Sequence, residues 1–261
     1  MAGADSLIDP KEGIHDLFQT GRQTEADRCT LFTYAAQLDP SHPQSYAWGD
    51  IRGHVGRSQG RLTNPDGAVY KVIGPEVGLA RTLAQQGWRD VVIIKAAMNF
   101  RSAEMNRSPW VRPNSLWRAW MDFLHQRLTE LAARGATPIV RGIVWDQGID
   151  DGLLRRSRAA FEADVQQLLA DLREEFGSEV TPAVLTRSVN SPIAGKNHMR
   201  PIRAAQVALA ESTPNTAWVN TDDLGPFPRG HHLSANAQLR LGRRHAEALV
   251  RLTSEPICTQ L

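Results

Sequence analysis

The chain has 261 residues, of which 41% are hydrophobic and 22% charged, a composition typical of a globular protein and not of a disordered or fibrous one. Its 30 basic and 28 acidic residues leave a formal net charge of only +2. The chain therefore lacks the basic excess that neutralises a phosphate backbone, and we expect no nucleic-acid partner. An acidic, polar N-terminal stretch and the lack of a long apolar run favour a soluble, cytoplasmic protein with no membrane partner.

Five short apolar runs rich in β-branched residues predict strands, at residues 14–21, 90–98, 137–148, 181–189 and 216–224. Helical periodicity predicts four long helices after the second strand, within 116–135, 159–177, 199–213 and 234–253. Gly135 is a natural C-cap for the first of them, and Ser234 is the predicted N-cap of the last. Strands that alternate with helices indicate one α/β domain over residues 1–261, with a parallel sheet covered by helices on both faces.

The segment from about 38 to 72 has no clear periodicity and is rich in Gly, Pro, Ser, His and Asp. It predicts a long irregular loop, and such loops in compact domains are usually functional. Ligands of open α/β sheets bind outside the carboxyl ends of the strands. We therefore expect the site among the residues that follow each strand, in the ranges 21–25, 99–101, 146–151, 188–192 and 222–232.

Several blocks of sequence resemble a known family in the same order. They are GPEVGLARTLA at 74–84, VVIIKAAMNFRSAEMNRSPW at 91–110, GIVWDQGIDD at 142–151, MRPIRAAQ at 199–206 and HLSANAQLRLGRRHA at 232–246. Together they resemble the SGNH hydrolases, in the branch that contains sialate O-acetylesterases and acetylxylan esterases. The resemblance implies a three-layer α/β/α sandwich with a five-stranded parallel, flavodoxin-like sheet, and hydrolysis of acetyl esters on a carbohydrate.

The family's nucleophile is missing from its motif. Members carry Gly-Gln-Ser-Asn after the first strand, and their serine attacks the ester carbonyl. When Gly21 is placed on the motif glycine, Arg22, Gln23 and Thr24 take the positions of the glutamine, serine and asparagine. An amide is a very poor nucleophile, so we expect Gln23 to bind a ligand and not to attack it.

Two carboxylates of the family pattern are also replaced. The block Trp-x-Gln-Gly-Glu ends here in Ile149, and the block Asp-x-x-His has Arg229 in the acid position ahead of His232. A guanidinium near an imidazole disfavours the protonated form that triad catalysis requires. The loss of two carboxylates, at Ile149 and Arg229, and the gain of guanidinium groups at Arg22 and Arg229 predict a cleft that binds an anionic small molecule or carbohydrate.

Three functions are compatible with these replacements. In the first, an acetylesterase is rebuilt, with Thr24 as nucleophile, His232 as base and Asp223 as orienting acid. In the second, a pseudoesterase keeps the cleft and only binds its ligand. In the third, His232 is the acid or base of a lyase or transferase without covalent catalysis.

The other predicted site residues bind the ligand or shape the cleft. Besides Gly21, Arg22 and Gln23, the predicted ligand-binding residues are Asn99, Arg101, Gln147, Asp150 and Arg229. Trp48 and Trp110 are candidates for stacking on a sugar, whereas Arg203 and Gln206 are expected to brace a helix. The acidic and histidine residues match no familiar ligand spacing, so we expect neither a metal nor another cofactor.

Overall fold

The computed structural model describes part of the chain in detail. The described residues are 6–7, 31–35, 49–50, 72–96, 108–225, 227 and 232–254. The first predicted strand, at 14–21, lies outside them. The prediction of a single domain over 1–261 stays a prediction.

The four predicted long helices are confirmed. In the described residues the helices are α1 (Pro75–Gln85), α2 (Ser115–Ala133), α3 (Ile149–Leu153), α4 (Arg158–Phe176), α5 (Lys196–Ser212) and α6 (Ala235–Ser254). None of these described helices is both long and apolar enough to cross a lipid bilayer.

The predicted helix ends are also confirmed. Gly135 has a φ of +83° just beyond the end of α2. The amide nitrogens of Gly135 and Ala136 donate to the carbonyls of Ala132 (2.9 Å) and Leu131 (3.1 Å), which is the Schellman arrangement that favours glycine. At the start of α6, the Ser234 hydroxyl accepts a hydrogen bond from the backbone nitrogen of Ala237 at 3.2 Å.

The strands form a largely parallel α/β structure. Strand β2 (Leu31–Ala35) pairs in parallel with β5 (Val92–Ala96), and β7 (Ala183–Thr186) pairs in parallel with both β6 (Ile143–Trp145) and β8 (Thr216–Val219). Three very short strands, β1 (Ser6–Leu7), β3 (Gly49–Asp50) and β4 (Val72–Ile73), make antiparallel pairs, β1 with β4 and β3 with β2.

The five-stranded sheet is not confirmed and stays a prediction. Among the described strands, β2 and β5 are hydrogen-bonded separately from β6, β7 and β8. Within the segment 38–72, the described residues are the short strand β3 and the first residue of β4, and its irregular character also stays a prediction. Strand β2 was not predicted, because a five-residue apolar run has no local signature that separates strand from helix.

Alternate residues of β7 pack on opposite faces of the sheet. Leu185 lies in an apolar cluster with Phe161 of α4, and Val184 lies in a second cluster with Leu241 and Leu249 of α6. Helices therefore cover both faces, as predicted, and the carboxyl ends of β6, β7 and β8 stand together at one edge.

Candidate functional site at the carboxyl edge of the sheet

Gln147 and Gly148 lie in the loop after β6, and the side chains of Ser188 and Gln206 hold this loop in place. We call these two side chains the Ser188 and Gln206 bracket. The carbonyl of Gln147 accepts hydrogen bonds from Gln206 Nε2 at 2.7 Å and from Ser188 Oγ at 3.3 Å. Gln206 also accepts from the Ser188 backbone nitrogen at 2.8 Å and donates to Ser188 Oγ at 2.9 Å. Gln206, which was expected to brace a helix, thus fixes the loop that follows β6.

This bracket leaves no room for a side chain at Gly148. Its φ is +147°, and a Cβ there would lie 2.6 Å from Ser188 Oγ and 2.7 Å from Gln206 Nε2. The loop therefore requires glycine for both conformation and space. The Gln147 amide turns to Asp150, whose Oδ2 it reaches at 3.4 Å, so the structure brings together two of the predicted ligand-binding residues.

Ile149 is a core residue. Its exposed fraction is 3%, and it packs in the apolar cluster that contains Val184 and Met199. No carboxylate can be ionised cheaply in such surroundings. The chain at this position is built around an apolar side chain.

The two aspartates that follow β8 are both paired with arginines. Asp222 accepts hydrogen bonds from Arg187 and Arg203. Asp223 accepts from both guanidinium nitrogens of Arg244, at 2.7 and 2.6 Å, and also from Arg240. The hydrogen bonds from Arg244 are the main reason why the pKa of Asp223 falls to about 2.

Under this edge, polar side chains from several elements meet on the α6 side of the sheet. Lys95 Nζ of β5 contacts Glu76 Oε2 of α1 at 3.0 Å. Asp146 hydrogen-bonds Thr186, and Thr186 Oγ1 lies 2.8 Å from Nε2 of the fully buried His245. We call Asp146, Thr186 and His245 the buried polar chain.

Burial shifts the pKa values of Asp146 and His245 in opposite directions. It raises the pKa of Asp146 from 3.8 to about 6 and lowers that of His245 from 6.5 to about 3. Each shift favours the neutral form. When Asp146 is ionised it accepts a hydrogen bond from the Thr186 hydroxyl, so the Thr186 oxygen must accept one from the Nε2–H of neutral His245.

We expect Asp146→Asn to change how stability depends on pH. Because folding raises the pKa of Asp146, ionisation costs stability as pH rises from about 4 to about 6, whereas the lowered pKa of His245 costs stability as pH falls from about 6.5. The two effects oppose each other in the wild type. The variant should be more stable by about 1–3 kcal/mol at pH 7.5, and this advantage should vanish near pH 4.5.

Thermal unfolding between pH 4 and pH 8 measures this difference, with Asp122→Asn on the exposed face of α2 as the matched control. We expect the control to follow the wild type at every pH. An Asp146→Asn curve parallel to the wild-type curve would mean that Asp146 does not have a raised pKa in the folded protein.

The amino-acid sequence of the chain matches the model of one protein family. The family model described as carbohydrate esterase, sialic acid-specific acetylesterase matches residues 19–251 of the chain. The chain belongs to this family. Among curated proteins, no sequence matches the chain.

Several solved structures share the fold. A protein from Arabidopsis thaliana has 18% identity and a TM-score of 0.62, over 85% of this chain and 80% of its own. NanS has 13% identity and a TM-score of 0.62, over 98% and 94%. A carbohydrate acetylesterase from Xanthomonas citri has 13% identity and a TM-score of 0.56, over 87% of this chain and 51% of its own, so this chain spans about half of it.

Only part of the predicted site can be compared with the structure. His232 is part-buried and lies in a short bridge just before α6. Asp223 forms ion pairs with Arg240 and Arg244. The other predicted residues of the esterase motifs lie outside the described part of the chain: Gly21, Arg22, Gln23, Thr24, Asn99, Arg101 and Arg229.

One stacking candidate is corrected, and several polar residues were missed. Trp110 is 2% exposed and packs edge-on against Trp145 at 4.9 Å between ring centroids, so it cannot stack on a ligand; Trp48 lies outside the described residues. Sequence reasoning placed Asp146 only within the expected range 146–151 and did not single out His245. The available signal was a histidine at helical spacing between the apolar residues Leu241 and Leu249.

Proposed function

We propose that this chain is a catalytically degenerate member of its acetylesterase family, which binds a carbohydrate-type ligand at the carboxyl edge without hydrolysing it through a nucleophile triad. The observation that carries the proposal is that Asp222 and Asp223 are each held by two arginines. A rebuilt triad needs one of them to orient His232 and to stabilise its imidazolium. A carboxylate whose oxygens already accept hydrogen bonds from two guanidinium groups is poorly placed for either task.

Two further features support this function. Ile149 stands where the family has a glutamate, and its packing excludes a carboxylate without a rearranged core. Gln147 and Gly148 keep the shape of the same block through the Ser188 and Gln206 bracket. A shape that remains after the reactive groups are gone is what a binding protein derived from an esterase requires.

The ligand of this cleft carries an anionic group in our proposal. Arg22 and Arg229 replace uncharged or acidic residues of the family motifs. Guanidinium groups recognise planar carboxylates and tetrahedral oxyanions through paired hydrogen bonds. Asn99, Arg101, Gln147 and Asp150 complete the proposed contacts.

Acetyl-ester turnover tests the proposed function. We expect wild type, Thr24→Ala and His232→Ala all to release acetate from p-nitrophenyl acetate and from O-acetylated sialic acid at the rate of buffer. His125→Ala is the matched control, because His125 is exposed on α2 and pairs with Glu175 far from this edge. Turnover by wild type that falls at least about a hundredfold in His232→Ala and not in His125→Ala would instead establish an enzyme with a rebuilt site.

A further inference from the structure

A groove with a cationic lining runs along α5. Its volume is about 580 Å³, which is within the usual range of small-ligand sites. It is bounded by the first turn of α4, the loop after β7 and the outer face of α5. Its charged lining residues are Arg158, Arg187, Lys196, Arg200, Arg203 and Glu211.

The positive charge of this groove is only partly compensated. Arg187 and Arg203 share one carboxylate, Asp222. Lys196 and Arg200 are exposed, and no carboxylate of the described residues pairs with either of them. Burial and then repulsion from Arg187 lower the pKa of Arg203, as expected where cations outnumber anions.

Two of the cations are also positioned in advance. The Arg203 guanidinium donates to the carbonyl of Ser188, and Arg187 lies 5.0 Å from the ring centroid of Trp218. Lys196 begins α5 and Arg158 begins α4, so the positive ends of two helix dipoles add to the charge of the groove. A ligand would find Arg187 and Arg203 already oriented, whereas the exposed side chains of Lys196 and Arg200 become ordered on binding.

The rest of the lining limits what the groove can hold. Ala204, Val207 and Ala208 form an apolar strip beside the cations, and Glu211 puts a negative charge at the far end of the strip. A polyanion long enough to follow α5 would run into Glu211. A small molecule with charges at one end and a ring-sized body would not.

We propose that this groove binds a small ligand that carries at least two oxyanion groups on a sugar-sized body. One group is taken by Lys196 and Arg200, and the other by Arg187 and Arg203, while the body lies against the apolar strip. Phosphate esters, sulfate esters and carboxylates share this chemistry. The site uses none of the predicted catalytic or ligand-binding residues of the cleft. Arg200 and Arg203 nevertheless belong to the block at 199–206, and Arg187 and Arg203 bind Asp222 at the carboxyl edge.

The experiment measures binding to the full chain by calorimetry with five probes: a bisphosphorylated sugar, a disulfated disaccharide, citrate, an uncharged disaccharide and a single-stranded oligonucleotide. The variant is Lys196→Gln/Arg200→Gln. The matched control is Arg243→Gln/Arg251→Gln, which removes the same charge from exposed positions of α6. Thermal unfolding of both variants checks that each is folded.

We expect at least one anionic probe to bind with a Kd below about 1 mM, at least tenfold more weakly to the Lys196→Gln/Arg200→Gln variant and within about twofold of wild type to the control. The uncharged disaccharide should not bind at this site. The probe that binds best identifies the oxyanion.

Equal losses in both double variants, or no binding of any anionic probe, would overturn the proposal. So would a single-stranded oligonucleotide that binds more tightly than every small anion through Lys196 and Arg200. Because turnover plays no part in this measurement, failure here leaves the proposed loss of triad catalysis standing.

Discussion

Replacing Arg156 by leucine is expected to destabilise the protein by about 3–5 kcal/mol, because it leaves two buried carboxylates without their counter-ion. Arg156 contacts Asp151 at 3.0 Å and Asp164 at 2.8 Å, and the three side chains are 8%, 5% and 9% exposed. Arg156 also donates to Ser108 Oγ. The cluster ties the turn after α3 to α4 and to the segment before α2, so its loss should also loosen the loop that carries Gln147.

The neighbouring Arg155 provides a matched control for this change. Arg155 is exposed, so Arg155→Leu removes the same charge and the same side chain without uncovering a carboxylate, and we expect an effect below about 1 kcal/mol. Burial already raises the pKa of Asp151 against the opposing effect of Arg156. Without Arg156, Asp151 should bind a proton more readily, so the loss of stability should shrink as the pH falls toward 4.

Denaturant unfolding of the two variants at pH 7.5 and pH 4.5 measures both effects. A loss in Arg156→Leu no larger than in Arg155→Leu would contradict the burial of this ion cluster. A loss that grows at acid pH would contradict the assignment of the carboxylates as its cause.

Gly242→Ala is expected to destabilise the protein by about 3 kcal/mol, because α1 and α6 touch there through their backbones. A Cβ at Gly242 would clash with the carbonyl oxygen of Pro75 and lie 2.6 Å from the backbone nitrogen of Leu79. Gly78 makes the reciprocal contact, since its Cβ would lie 2.9 Å from the carbonyl carbon of Leu239. Backbone atoms cannot turn aside as a side chain does, so the two helices must separate.

The unfolding free energies of Gly242→Ala and Arg243→Ala test this packing. Alanine favours a helix over glycine by about 1 kcal/mol, so a stabilised Gly242→Ala variant would mean that the helices are not in close contact. We expect Arg243→Ala, on the exposed side of α6, to lie within about 0.5 kcal/mol of the wild type.

The parts of the fold that the sequence predicted are those that local chemistry controls. Helices α2 and α6 have apolar residues at helical spacing, and Gly135 and Ser234 act within one turn of the helix ends that they determine. The exact extent of β6 was not predictable, since only three residues of the apolar run 137–148 belong to the strand. Strand pairing depends on contacts far along the chain.

In the candidate site, too, contacts between residues near in sequence could be predicted, and contacts between distant residues could not. The contact between Gln147 and Asp150 spans three residues and follows from the turn after β6. Asp223 pairs with Arg240 and Arg244, which lie 17 and 21 positions further along the chain. No local sequence pattern indicates this pairing. Asp223 was therefore predicted as a free acid beside His232, although its carboxylate faces two guanidinium groups of α6.

Returning the family's missing groups tests the account most directly. The measurement is acetyl-ester turnover by wild type and by the double variant Gln23→Ser/Arg229→Asp. Each of the two is measured with His232 intact and, as a control, with His232→Ala added. If the cleft is an esterase site that has lost its reactive groups, wild type stays at the rate of buffer, the double variant exceeds it by at least about tenfold, and His232→Ala removes that gain. Turnover by wild type that depends on His232 would contradict the account and show that the chain hydrolyses esters with groups of its own.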